Sequence, residues 1–442
     1  MAASPADLLL AVLGALPRDA DVAVVRREPG QWVVGVDPEA RLEASGAEAL
    51  DRLDRLGGGW WAGWLAYDLG RSVERVERRR PDPCLPDASW LPDVSLARFD
   101  ARLVVDARGV RLEGDGPTRA VLAAAAREAG AEAAGSGIAT VGLAPFRSSL
   151  DRAEFEARVE EIVELVRAGE CYQVNLTRRL TSDTAADPSG LFSALVRRHP
   201  APHAALLRSG DVAVVSASPE RFLRRRGDGV ETRPIKGTAG QRAALVASGK
   251  DRAENVMITD LARNDLGRVC VPGSVSVPAL CAPEAHPGLW HLVSTVTGRL
   301  RPGVSTGALV RATFPPASVT GAPKPRVLQA IEDLEPVPRG VYCGAVGWID
   351  DDTGALELNV AIRTFQILDG RTHLGVGGGI TAESDPNAEW RETELKAARL
   401  LAVATGAGSP PRAGRKPGGA GVSPAPGGTG VSPAPGGTGV SP

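Results

Sequence analysis

The chain has 442 residues, 51 of them basic and 53 acidic, for a formal charge of −2. That length admits two or three ordinary domains or one large one, and 43% apolar residues suffice for a sizeable core. The balanced charge excludes the basic surface that a nucleic-acid protein needs to displace counterions, and it gives no polybasic membrane anchor.

The first apolar run, Leu8 to Leu16, follows Asp7 with no Lys or Arg before it. It lacks the positive flank of a signal peptide and reads as a short helix or core segment. No run approaches the ~18 apolar residues of a membrane span. Val22 to Val25 and Trp32 to Val36 read as strands. The stretch Gly57 to Trp64 is rich in glycine and tryptophan and leads into Tyr67-Asp68. We read it as a strand whose indoles fill the core rather than a ligand site. Val121 to Ala134 is alanine-rich and helical, and Gly135-Ser136-Gly137 marks a linker.

From Ser148 the pattern sharpens. Phe155, Val159, Ile162, Val163 and Val166 follow helical spacing, with Ser148, Ser149 and Asp151 offering N-caps and Gly169 a stop. Strand-like runs follow at Tyr172 to Thr177, Val212 to Ser216, Ala345 to Ile349, Leu358 to Ile367 and Thr372 to Val376. This order predicts an α+β fold with antiparallel sheets packed as a sandwich and helices outside, not a regular βαβ repeat. From Gly418 a nine-residue unit recurs, GGAGVSPAP, GGTGVSPAP, GGTGVSP. With nothing large to bury, residues 406–442 are expected to be a disordered Gly/Pro-rich tail. The chain thus divides into an N-terminal region (1–130), a second region (147–405) and the tail. The five cysteines (Cys84, Cys171, Cys270, Cys281, Cys343) form no CxxC pair, so neither a zinc ribbon nor a disulfide framework is expected. That usage fits a reducing cytoplasm.

Several residue groups carry chemistry. Asp251 and Glu254, and again Glu389 and Glu392, are spaced i, i+3 and so share a helix face. For the second pair Asp385 is the N-cap and Pro386 the first helical residue. Two such pairs furnish an oxygen-rich Mg²⁺ site, although acidic first turns also serve simply to complement the helix dipole. The basic residues are 46 Arg and five Lys: Lys236, Lys250, Lys324, Lys396 and Lys416. In an Arg-dominated chain a retained Lys draws notice, because only its amine readily loses a proton and becomes a nucleophile. Lys236 lies in Arg233-Pro234-Ile235-Lys236-Gly237-Thr238, where desolvation or a cation such as Arg233 would depress its pKa; the plainer reading is a surface turn lysine. Glu220, in Ser218-Pro219-Glu220-Arg221, is a proton carrier or a partner of Arg221. Gly377-Gly378-Gly379 follows a strand, and exposed N–H groups there would cradle a carboxylate. Thr320 to Lys324 lacks P-loop spacing and is rejected as one. His291, set between apolar residues, reads as a structural histidine.

In this order the segments resemble the chorismate-utilising enzymes, a family that includes anthranilate synthase large subunits, aminodeoxychorismate synthase component I, and isochorismate and salicylate synthases. The resemblance rests on GECYQVNLTRR (169–179), SASPERF (216–222), RPIKGT (233–238), DRAENVMITDLARNDLGRV (251–269), HLVSTV (291–296), FPPASVTGAPKPR (314–326), YCGAVGW (342–348), AIRT (361–364), GGGITAESDP (377–386) and EWRETELKA (389–397). It covers about 147–403, with GGWWAGWLAYDLG the clearest signal of a family-like N-terminal region. It implies the anthranilate synthase component I-like fold, chorismate as substrate and Mg²⁺ as cofactor. Glu254 and Glu392 match the direct metal ligands, and Asp251 and Glu389 the outer acidic residues. Tyr342 and Arg363 match residues on the enolpyruvyl side. Gly237, Thr238 and Gly379 match substrate-fixing positions, Lys396 a carboxylate-contacting lysine, Ser318 and Thr320 polar pocket positions, and His291 the active-site histidine. Two positions select the chemistry. Gln173 stands where the water-activating lysine of isochorismate and salicylate synthases would be. Lys236 stands where anthranilate synthases usually have alanine, and lysine there marks aminodeoxychorismate synthases. The implied reaction converts chorismate and ammonia to 4-amino-4-deoxychorismate through a Lys236 adduct, with Glu220 as general acid, towards 4-aminobenzoate and folate. The ammonia would come from a separate glutamine amidotransferase subunit. The alternatives are an anthranilate synthase large subunit, whose usual Leu-Leu-Glu-Ser motif is missing here, and a non-catalytic chorismate-binding protein.

Overall fold

Ser4 caps the first helix, Pro5–Ala15, by accepting from the Asp7 amide, and Leu9, Leu10, Val12 and Leu13 are buried. The predicted Leu8–Leu16 segment is therefore a core helix. The computed structural model describes residues 3–74, 76, 91–132, 142–286 and 289–406. Cys84, the Gly135-Ser136-Gly137 linker and the tail beyond 406 lie outside the described residues.

The chain next lays down two antiparallel sheets. One end of the first sheet holds Val22–Glu28, Gln31–Val36, Ala101–Asp106 and Gly109–Gly114; the other holds Gln173–Ser182, His203–Ser209, Val212–Ser218, Thr364–Leu368 and Arg371–Ile380. The second sheet runs from Ala40–Ala44, Val94–Arg98 and Trp60–Leu65 through Ala345–Asp350, Ala355–Val360, Arg221–Arg226 and Gly229–Arg233 to Leu289–Arg299 and Ile235–Ala239. The stretches 1–130 and 147–405 thus contribute strands to the same two sheets, and the described residues belong to one compact unit.

Strand alternation builds the layers. Ala23, Val25 and Val33 point inward and meet Trp60, Trp64 and Trp348 from the second sheet. Trp60 stacks on Trp348 with ring centres 6.2 Å apart, so the Gly/Trp stretch is core, as its sequence predicts. Val22, Val24 and Val34 point outward against helix residues Leu9, Leu122, Leu191 and Leu400. On the other outer face Leu65, Leu223 and Leu358 pack with Leu50, Phe155, Leu266 and Leu309. The result is the expected α+β sandwich with helices outside. The Phe155 helix spans Arg152–Arg167, with Asp151 and Glu154 forming a capping box, as the spacing predicts. Among the described residues no helix is long and apolar enough to cross a membrane.

Two crossings between the sheets matter for function. Val212–Ser218 belongs to the first sheet and Arg221–Arg226 to the second, so Pro219-Glu220 is the bridge between them. The predicted single strand Leu358–Ile367 is instead two strands, Ala355–Val360 and Thr364–Leu368, one in each sheet. The chain must leave one sheet for the other, and Arg363 turns it with φ +52°, a left-handed conformation uncommon for a non-glycine residue. The crossings are tied together: the Val360 amide donates to the Glu220 carbonyl at 3.0 Å, and the Ala217 amide to the Arg363 carbonyl at 3.0 Å.

Candidate active site

Lys236 lies on the strand Ile235–Ala239, opposite Leu292, while Thr238 lies opposite His291. Gly237 is the extra residue of this bulge and takes φ +79°, which glycine supplies without a steric penalty. A Cβ at Gly237 would lie 2.8 Å from the Asp251 Cβ, so the bulge seats directly against the acidic helix Gly249–Gly267. The Lys236 side chain is 12% exposed, with Nζ 3.9 Å from Glu254 Oε2. Burial pulls its pKa below the ordinary lysine value; Glu254 pushes the other way and Lys396 adds to the lowering. Arg233 is not the depressing cation expected from sequence. It pairs with Glu284.

The strand Arg371–Ile380 closes over Lys236 from the first sheet. Gly377, Gly378 and Gly379 all lie opposite residues of Gln173–Ser182 in its ladder, so the run is part of the strand rather than a segment that follows it. The glycines serve close approach. A Cβ at Gly379 would lie 2.6 Å from Gln173 Nε2 and 3.2 Å from Lys236 Nζ. Gly379→Ala therefore displaces Gln173, which is fully buried, or the lysine. We expect a ~10²-fold loss of turnover with a native circular-dichroism spectrum, measured by steady-state kinetics.

Glu220, in the crossing, is 3% exposed. Burial raises its pKa to about 7, against the opposing effects of a Ser318 hydrogen bond, the Lys236 charge, the Ile235 amide and Arg363. Arg221 binds Glu357 at 2.6 Å and also Glu231, so Glu220 is not its partner. Arg363 is half-buried: desolvation and Arg399 bring its pKa down to about 10, while Glu220 raises it. The His291 Nδ1 lies 2.9 Å from Thr238 Oγ1, and its ring meets that of His286 edge-on at 4.7 Å. Burial, then Arg363, lowers its pKa to about 4, so it is neutral at pH 7.

Buried polar atoms are normally paired. Here both amide atoms of Gln173 and the Nε2 of His291 have no hydrogen-bond partner in the protein. Gln173 and His291 thus hold hydrogen-bonding atoms that the protein itself leaves unused, Gln173 close to Lys236 and His291 beside Thr238. The sequence marks Gln173 only as a residue in place of lysine; its unpaired amide is visible only in three dimensions.

The acidic pairs lie on Gly249–Gly267, capped by Ser248, and on Pro386–Thr405, capped by Asp385 with Pro386 in its first turn. Glu254 and Glu389 both face Lys250 Nζ, at 3.9 and 3.2 Å. Glu392 Oε1 lies 2.7 Å from Lys396 Nζ, which also donates to the Gly377 carbonyl at 2.9 Å. Burial raises the Glu254 pKa against the pull of Lys236 and Lys250, and Lys396 lowers that of Glu392. Hard carboxylate oxygens from two helices are the donors that Mg²⁺ takes, so the donor chemistry fits that ion. As the side chains stand, no three acidic, His or Cys groups among the described residues converge closely enough to hold a metal. Lysines occupy the space between them.

Other predicted positions sit at the margin. The Thr320 hydroxyl donates to the Pro316 carbonyl at 2.9 Å and accepts from Tyr67 Oη at 3.3 Å. The Tyr342 ring lies against Gly375, where a Cβ would overlap it at 2.1 Å. Arg339 and Glu335 are among the charged groups around it.

A two-sheet sandwich with a buried lysine, a raised carboxyl in a sheet crossing and two acidic helix pairs defines a class. The profile of the chorismate binding enzyme family matches residues 20–402, and the chain belongs to that family. It is 39% identical over 352 residues to aminodeoxychorismate synthase component 1 of Klebsiella aerogenes, covering 77% of this chain and 76% of that one. It is 36% identical over 365 residues to anthranilate synthase component 1 of Streptomyces coelicolor, covering 77% and 71%. Anthranilate synthase component I from Streptococcus pneumoniae superposes with a TM-score of 0.73 at 25% identity, over 85% of this chain and 92% of that one.

Proposed function

We propose that this enzyme is the synthase component that converts chorismate and ammonia to 4-amino-4-deoxychorismate, towards 4-aminobenzoate and folate. The observation that carries the reading is Lys236, a desolvated amine set between a buried carboxyl and an acidic helix. Its neutral amine forms a bond to ring C2; both ring double bonds shift, C1=C2 to C1=C6 and C5=C6 to C4=C5, and the C4–O bond breaks. The C4 hydroxyl departs as water after receiving the Glu220 proton. Ammonia then bonds to C4, both double bonds return to their first positions, and the Lys236–C2 bond breaks, returning the amine; the proton shed by the new ammonium restores the Glu220 acid. Two displacements replace one difficult exchange, and the net change is ammonia for water. Arg363 and Tyr342 hold the enolpyruvyl carboxylate side, Gly237, Thr238 and Ser318 fix the ring substituents, and neutral His291 and Gln173 offer hydrogen bonds to it. Glu254 and Glu392 would hold Mg²⁺ directly, with Asp251 and Glu389 outside them; when bound, the ion neutralises the substrate carboxylate and polarises the leaving group.

The ammonia source is a separate glutamine amidotransferase subunit. The described cysteines, Cys171, Cys270, Cys281 and Cys343, are all buried, so none of them offers the exposed thiol that glutamine hydrolysis needs. A cytoplasmic location agrees with those free thiols. The competing product is anthranilate, since relatives of both names match. Purified protein incubated with chorismate, Mg²⁺ and ammonium is expected to form 4-amino-4-deoxychorismate, identified by mass spectrometry. Fluorescent anthranilate as the main product would reject the assignment.

A further inference from the structure

Lys250 has no role in the chemistry above, yet its ammonium joins the two acidic helices. It reaches Glu389 Oε1 at 3.2 Å and Glu254 Oε1 at 3.9 Å. Glu389 is 3% exposed and its same oxygen accepts from Ser384 Oγ at 2.8 Å. Two further facts single out this lysine. It stands in the first turn of Gly249–Gly267, the positive end of the helix dipole, where a cation is unfavourable. Carboxylates across the gap must offset that position. In addition, this chain uses Arg for 46 of its 51 basic residues and keeps Lys here. A compact ammonium occupies the space of one ion, whereas a planar guanidinium grips a carboxylate through two bonds. The Lys250 side chain is 45% exposed, so solvent lies beside it.

We infer that Lys250 is an internal counter-cation of the acidic site: its ammonium bridges Glu254 and Glu389 in the metal-free enzyme and is displaced towards solvent when a divalent cation binds. The inference rests on the metal reading above. Lys250 neutralises like charges that would otherwise repel across the two helices, and it thereby weakens divalent-ion binding until a substrate carboxylate adds its own ligand.

The test is Mn²⁺ binding to the substrate-free protein, followed by the loss of the free-ion EPR signal. Lys250→Gln is expected to bind Mn²⁺ about tenfold more tightly than the parent, the change that one screened charge a few ångströms away carries. Arg252→Gln is the control, since Arg252 is an exposed cation in the same turn; removing it is expected to change affinity less than about twofold. In EDTA, Lys250→Gln should melt below the parent, and saturating Mn²⁺ should close that gap. Equal or weaker binding by Lys250→Gln, or equal gains from both substitutions, would overturn the role of Lys250 while leaving the metal site standing. Failure of every form to bind Mn²⁺, with or without chorismate, would overturn both the metal reading and this one.

Discussion

Replacing Lys236 with alanine is expected to reduce amination at C4 by ~10³-fold or more while leaving chorismate affinity within a few-fold of the parent. The amine acts in the bond-making step, and several other groups hold the substrate. Lys236→Arg should be as inactive as the alanine variant, because a guanidinium keeps its proton at any working pH. Retained activity in the arginine variant would show that only positive charge is required there and would reject covalent catalysis. Intact-protein mass spectrometry adds an independent readout. Parent enzyme quenched during turnover without ammonium should carry the mass of chorismate less one water, and neither variant should. Burial is what readies this lysine: desolvation lowers its pKa and enlarges the neutral fraction at a given pH.

Much of this site is legible in the order of short segments. The shared helix faces of the two acidic pairs follow from residue type and spacing, the PIKGT lysine and the SASPERF glutamate take their roles from the family resemblance, and helix caps at Asp151 and Asp385 place two of the scaffolding helices. What the sequence hides is where the chain changes sheet. Leu358 to Ile367 is apolar enough to read as one strand, but Arg363 turns between two, and local hydropathy does not register a turn that only the opposite sheet requires. The glycine run misleads for a related reason. Gly377 to Gly379 read as following the strand because glycine is poor in strands, yet they sit inside a ladder, bare of Cβ atoms so that Gln173, Lys236 and Glu389 fit against them. Charge pairing is equally opaque. Arg221 beside Glu220 suggests a sequence-local pair, and Arg233 a local cation for Lys236, but the sheets and not the chain set their partners. Arg221 finds its carboxylate on the adjacent strand, at Glu357, and Arg233 on the far side of Leu289–Arg299, at Glu284.

Replacing Glu220 with glutamine is expected to lower turnover by ~10²–10⁴-fold, the usual contribution of a positioned acid, and to change the shape of the pH profile. Glu220 and Lys236 feel one another's charge. The reactive arrangement, a protonated carboxyl with a neutral amine, holds the same number of protons as the carboxylate–ammonium pair. The two forms are tautomers that titrate as one unit. Parent activity should therefore fall as pH drops below about 7, where the pair gains a second proton, and fall again at alkaline pH, where it loses its only one. In Glu220→Gln the limb near 7 should vanish, leaving a single rise set by Lys236 at higher pH. A purely structural role for Glu220 would lower activity without moving that limb. Stability supplies the complementary sign. With a folded pKa of about 7 against the ordinary glutamate value of 4.5, the folded protein binds more protons than the unfolded chain between those values. The carboxyl thus makes stability fall as pH rises through that window, by up to ~3 kcal/mol once above it. The neutral amide carries no such cost. Glu220→Gln should consequently be more stable than the parent in urea at pH 8, with the difference shrinking as pH is lowered towards 5. Equal pH dependence of unfolding in the two proteins would mean that the carboxyl is not held protonated by burial, and the acid would have to be sought elsewhere.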